Sequence, residues 1–173
     1  MKRRKIRSLS VSEIGMRCMG FSHGYGKVPE EGDALDAIRK AYETGCTFFD
    51  TAEVYGDVMF YPGHNEQLVG KAISGFRKDV VLATKLFIYS EELCGGKSVC
   101  EAVRTHLEKS LANLNTDYID LYYLHRINAE IPLEEVAEAM GGLIKKGVIR
   151  AWGLSQVGVE TLAKAHAITP VAA

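Results

Sequence analysis

No stretch of this chain is long and apolar enough to span a bilayer, and the basic start Met1-Lys2-Arg3-Arg4-Lys5 is not followed by an apolar run of signal-peptide length. Excess charge of one sign is also missing: the formal net charge is -1, so neither nucleic acid nor an acidic membrane is an expected partner. The four cysteines, Cys18, Cys46, Cys94 and Cys100, fall in no paired metal-ligand spacing. They are too few for a small disulfide scaffold. The expectation is free thiols in a cytoplasmic protein, with no metal site. A Gly-x-Gly-x-x-Gly turn is absent too, so a Rossmann dinucleotide site is not expected.

What is present is an ordinary soluble composition over 173 residues, 47% hydrophobic and 25% charged, enough for a single domain over 1–173 with a real core. Short β-rich runs alternate with amphipathic ones. Two short strands are expected over 6–9 and 13–19, then a loop over 20–29. A helix over 33–43 is marked by Leu35, Ile38, Ala41 and Tyr42, with Gly45 as its C-terminal cap. A strand over 47–50 precedes a helix over 66–74, for which Asn65 offers an N-cap. A strand over 80–84 is followed by Ser98 and Glu101, spaced as a capping box, and by a long helix with Val103, Leu107, Leu111 and Leu114 on one face. A strand over 119–124 leads to a helix opened by Pro132 and stopped by Gly147. A strand over 148–155, a helix over 161–166 and a new strand beginning at 170 complete the pattern.

Continuous apolar strands separated by amphipathic helices imply a parallel sheet covered by helices, an α/β fold. Charged groups at successive strand ends favour a (β/α)8 TIM barrel over a doubly wound sheet. A whole barrel needs about 250 residues. The expectation is therefore a truncated barrel of about four β/α units plus an N-terminal β-hairpin. Its open edges and uncovered inner side chains would favour self-association.

Asp50, Lys85 and His125 each close a strand-like run, and Tyr55 lies just past the first. Parallel neighbours would bring all four to one face. A tyrosine, ordinarily titrating near ~10, donates protons poorly at neutral pH. A lysine ammonium beside the phenol favours its anion. Asp50 is placed to hold Lys85, and His125 to orient a carbonyl or shuttle a proton. The bland alternative, an Asp50–Lys85 ion pair that only fixes neighbouring strands, stays open. Ser155 and Gln156, ending the last complete strand, can hydrogen-bond a ligand amide or merely cap the next helix. Met19, Phe21 and Phe87 are candidates for an apolar wall that with Tyr55 and His125 encloses a substrate pocket. Glu53 and Arg126 adjoin these candidates and either shape the pocket or, the preferred reading, are solvated rim charges, and His23, His64, His106 and His166 receive no role.

These segments match a family. Phe49-Asp50-Thr51-Ala52-Glu53-Val54-Tyr55-Gly56, Asn65-Glu66-Gln67-Leu68-Val69-Gly70 and Ala83-Thr84-Lys85 resemble the aldo-keto reductases. So do Asp117-Tyr118-Ile119-Asp120-Leu121-Tyr122-Tyr123-Leu124-His125 and Gly147-Val148-Ile149-Arg150-Ala151-Trp152-Gly153-Leu154-Ser155. The resemblance runs in register over nearly the whole chain and makes it similar to the N-terminal half of such a barrel. It implies reduction of small aldehydes or ketones with NADPH, Asp50, Tyr55, Lys85 and His125 as the catalytic tetrad, and Tyr55 as proton donor. It also implies that Ser155 and Gln156 hold the nicotinamide carboxamide, with Asp50, Cys18 and Met19 near the cofactor. Arg17 departs from the family, which usually has glycine there, and Gln156 stands where Asn or Glu is commoner. The family's stacking aromatic, pyrophosphate loops and 2'-phosphate site belong to a second half. Two rival readings remain: a reductase-like regulatory or oligomerisation subunit without catalysis, and a barrel lyase or isomerase with Lys85 as Schiff-base former.

Overall fold

A computed structural model describes residues 1–24 and 26–173. Position 25, inside the loop expected over 20–29, lies outside the described residues. Among the described residues, seven strands and five α-helices follow in the order β1 (Arg3–Ile6), β2 (Leu9–Ser12), β3 (Met16–Arg17), α1 (Glu31–Glu43), β4 (Phe48–Asp50), α2 (His64–Ile73), β5 (Val81–Leu86), α3 (Val99–Leu114), β6 (Ile119–Leu124), α4 (Leu133–Lys145), β7 (Ile149–Leu154) and α5 (Val159–Ile168). Strands β3 to β7 form one parallel sheet in sequence order. Neighbours in chain order with a helix in each crossover from β3 onward are the curved wall of a TIM barrel, here about half of one.

The N-terminal hairpin differs from its expected register. The turn falls at Arg7-Ser8, with Arg7 at φ 51°, so the strand expected over 6–9 is broken in its middle: Ile6 ends β1 and Leu9 begins β2. No Gly or Asn marks that turn, and a strand as charged as Arg3-Arg4-Lys5 gives no alternation to read. The expected strand over 13–19 shrinks to Met16–Arg17, because Cys18–Phe21 coils into a 3₁₀ turn.

Helix ends follow local chemistry. Gly45, at φ 98°, takes the left-handed position after α1; its N–H donates to Tyr42 O and that of Cys46 to Ala41 O, closing a Schellman motif. Ser98 accepts from Glu101 N while Glu101 accepts from Ser98 N, the reciprocal capping box expected before α3. Pro132 is the N-cap of α4, one residue before its first turn. Asn65 is not a cap: Gly63 is, and Asn65 lies buried inside α2.

Period-two alternation sorts the strands into two faces. Phe49, Leu82, Tyr122 and Trp152 join the core between sheet and helices, where the Trp152 indole donates to Thr169 O at 3.1 Å. Val81, Ala83, Leu121 and Ala151 face the other way, and all four are buried. The expectation of uncovered inner side chains is thus corrected: Leu9 and Val11 of the hairpin pack on them as a plug. The β7 edge is also partly paired, since Ala172 N donates to Trp152 O and Leu154 N to Ala173 O. The strand expected to begin at 170 does not form over the described residues, although these two bonds lie along the β7 edge. Above the plug the inner positions turn polar, with Asp50 and Lys85 following Phe48 and Ala83 at the two-residue period.

Helices α2 and α3 meet at Gly70, where a Cβ would come within 2.7 Å of the Leu114 backbone. Backbone cannot yield as a flexible side chain does. Gly70→Ala is expected to force the helices apart and destabilise the chain by about 1–3 kcal/mol, read from its urea midpoint. An unchanged midpoint would show that the helices separate freely.

Candidate active site

The carboxyl ends of β4, β5 and β6 bring the four sequence-selected groups together. Lys85 is buried, and three oxygens compensate its ammonium: Asp50 Oδ1 at 2.5 Å, Thr51 O at 2.6 Å and the Tyr55 hydroxyl at 3.4 Å. His125 lies just past β6, anchored by its N–H to Leu86 O at 2.8 Å. Its ring meets that of Tyr55 edge-on, with centroids 5.6 Å apart. Arg17, at the end of β3, donates to the same Tyr55 hydroxyl from Nη2 at 3.0 Å and Nε at 3.3 Å. The phenolic oxygen therefore accepts from two cationic side chains, an arrangement that stabilises negative charge on it.

A cleft of about 340 Å³ opens above this cluster, lined by Arg17, Met19, His23, Tyr55, His125 and Arg126 among others. Phe21 packs instead against the helix-side core, and the Phe87 ring lies edge-on to Tyr89, 4.6 Å between centroids. The Cys18 thiol is wholly buried in that core, and burial pushes its pKa up. Ser155 and Gln156 follow β7 at the same end of the sheet. Ser155 Oγ accepts from Arg126 Nη1 at 3.0 Å, and Gln156 takes a left-handed φ of 58°.

Residues assigned another role or none from the sequence hold the site in place. Asn65 Oδ1 accepts from Thr51 Oγ1 at 2.6 Å, while its Nδ2 donates to Cys18 O at 2.9 Å and Ser22 Oγ at 2.8 Å. One buried amide thus ties together the segments that follow β3 and β4, next to Arg17 and Asp50, the second of which carries Tyr55. Glu53 is not a solvated rim charge: it accepts from Phe87 N at 2.6 Å and lies 2.7 Å from His106 Nδ1. Glu92 meets the other nitrogen, Nε2, at 2.9 Å. Burial presses the His106 imidazole toward neutrality, but the two carboxylates outweigh it and raise its pKa. Glu53 and His106 are far apart in sequence and share no spacing; their pairing is visible only after the fold brings α3 against the loop beyond β4.

His125 behaves oppositely. Burial, then the charges of Lys85, Arg126 and Arg17, press it down to about 4. It is a neutral imidazole at neutral pH, able to donate to a carbonyl oxygen without carrying charge. Its Cε1 resonance should titrate with a midpoint near about 4; a midpoint above the ordinary value of ~6.5 would contradict the arrangement. Because the folded pKa lies below the unfolded one, the unfolded chain binds more protons between the two values. The part of the stability linked to His125 is then complete above pH ~6.5 and falls as pH drops toward about 4.

The model of the Aldo/keto reductase family matches residues 13–173. A probable aldo-keto reductase of Glycine max is 39% identical over 94% of this chain and 46% of its own length. An aldo-keto reductase from Bacillus halodurans in its holo form superposes with a TM-score of 0.81 at 34% identity, over 99% of this chain and 55% of that one. One from Klebsiella pneumoniae, in complex with NADPH, gives 0.74 at 34% identity, over 95% and 53%. The chain spans about half the length of the curated relatives it matches. Sheet order, the polar cluster at the strand ends and a family match over most of the sequence agree: this chain belongs to the aldo/keto reductase family.

Proposed function

We propose that this chain carries the proton-transfer centre of an NADPH-dependent reductase of small aldehydes or ketones. The observation that carries the reading is the Tyr55 hydroxyl held at 3.4 Å by an ammonium that Asp50 anchors at 2.5 Å. Tyr55 gives its proton to the developing alkoxide, and Lys85 and Arg17 stabilise the phenolate left behind. His125, uncharged, donates a hydrogen bond that orients the carbonyl. A bound nicotinamide supplies the hydride. Ser155 and Gln156 fit its carboxamide, because they offer a hydroxyl and an amide at the end of β7, on the side where Asp50 and Lys85 end their strands. The buried Cys18 thiol leaves only the main chain of that residue for the cofactor, and Met19 walls the cleft beside it. The four cysteines, all free, suit the reduced cytoplasmic setting in which such a reductase works.

The test is transfer of deuterium from deuterated NADPH to the carbonyl carbon of an aromatic aldehyde, followed by mass spectrometry with the 173-residue chain. Deuterated alcohol is the expected product. Absence of transfer with folded protein and saturating cofactor would refute catalysis by this chain.

A further inference from the structure

The cleft beside Tyr55 is one-sided in charge. Arg17 and Arg126 both line it, and among the described residues no carboxylate does. Asp50 lies below, committed to Lys85, and Glu53 is turned away to Phe87 N and His106. Both arginines are exposed at the rim, and both are held in place. Arg126 Nη1 donates to His125 O at 2.6 Å and Ser155 Oγ at 3.0 Å, and Arg17 is pinned on the Tyr55 hydroxyl. Two guanidinium groups fixed around one concavity repel each other, and an anion placed between them relieves that repulsion. The planar fork of arginine suits an oxyanion such as carboxylate in particular. That both charges reach the reacting centre is visible at His125, whose proton affinity they help to lower.

We propose that the cleft selects carbonyl compounds bearing a second, anionic oxygen group, which Arg126 grips with Arg17 beside it while the carbonyl faces Tyr55 and His125. The inference rests on the reductase reading of the cleft and names its substrate class. The same two charges would also attract cofactor phosphates, so the test separates the two sources.

The 173-residue chain is titrated calorimetrically with para-formylbenzoate and with para-formylbenzamide, which match in shape and differ in charge, each with and without saturating NADPH. The acid is expected to bind about tenfold tighter or more. Arg126→Met is expected to bring the two within about twofold, while Arg126→Lys keeps part of the preference. Equal affinities, no binding of either aldehyde, or a preference unchanged in Arg126→Met overturns the proposal. A preference that NADPH abolishes by competition assigns the charges to the cofactor and also overturns it. NADPH oxidation is read in parallel. Charge-selective binding without reduction sinks the reductase reading and leaves the anion site standing; reduction of both aldehydes with equal kcat/KM does the reverse.

Discussion

Replacing Tyr55 by phenylalanine is expected to lower carbonyl reduction by about 10²–10⁴-fold, the usual worth of a positioned general acid, with little change in folding. The ring is buried, packs edge-on against His125 and keeps those contacts in the variant. Only the hydroxyl is lost, and with it one acceptor of Arg17 and the third acceptor of Lys85. Lys85 retains Asp50 and Thr51 O, so its charge stays compensated. The loss should appear in kcat and kcat/KM alike, because a proton donor acts in the transition state and not in ground-state binding. Single-turnover reduction of an aromatic aldehyde with NADPH measures it. Wild-type turnover in the variant would remove Tyr55 from the proton path and return the Asp50–Lys85 pair to a strand clamp.

The convergence of these groups was legible in the sequence because neighbouring parallel strands present their carboxyl ends at one face. Asp50, Lys85 and His125 each closed an apolar run, and the sheet register brings those ends to one side, with Asp50 opposite Ala83 and Lys85 opposite Tyr123. Helix caps set by short-range chemistry, Gly45 and the Ser98–Glu101 box, were legible for the same reason. What escaped depends on contacts between distant segments. Asn65 has the chemistry of an N-cap, but the pull of three buried partners in two other loops is stronger, and it sits within α2. Arg17 showed only as a departure from a glycine; its hold on Tyr55 crosses from one strand end to another, between residues 38 apart. The plug was hidden likewise: Leu9 and Val11 find their apolar neighbours on β5, β6 and β7, not nearby in sequence.

The largest stability loss is expected at the opposite end of the sheet, in a residue that no motif singles out. Asp120 is fully buried near the start of β6. Its Oδ2 accepts from Arg77 Nη1 at 2.8 Å and from Leu82 N at 3.0 Å, and its Oδ1 from Arg150 Nη1 at 2.8 Å. The two guanidinium groups also flank the Tyr118 ring, 4.1 and 4.4 Å from its centroid. One carboxylate thus joins β5, β6 and β7 near their amino ends. Asp120→Ala strips the counter-charge from Arg77, whose side chain is only 11% exposed, and leaves the Leu82 N–H without its acceptor. Breaking a buried pair on one side costs about 3–5 kcal/mol. Arg150, more than half exposed, can turn to water, which places the expected loss near the lower end of that range. Urea unfolding with an unchanged m-value and a lowered midpoint measures it. Removing both charges, as in Asp120→Leu with Arg77→Met, should recover part of the loss, because no buried ion is then left without a partner. If the single variant lost under about 1 kcal/mol, the value of a surface ion pair, water would have to reach Arg77, and the three strands would be held by their backbone ladder and the hydrophobic plug alone.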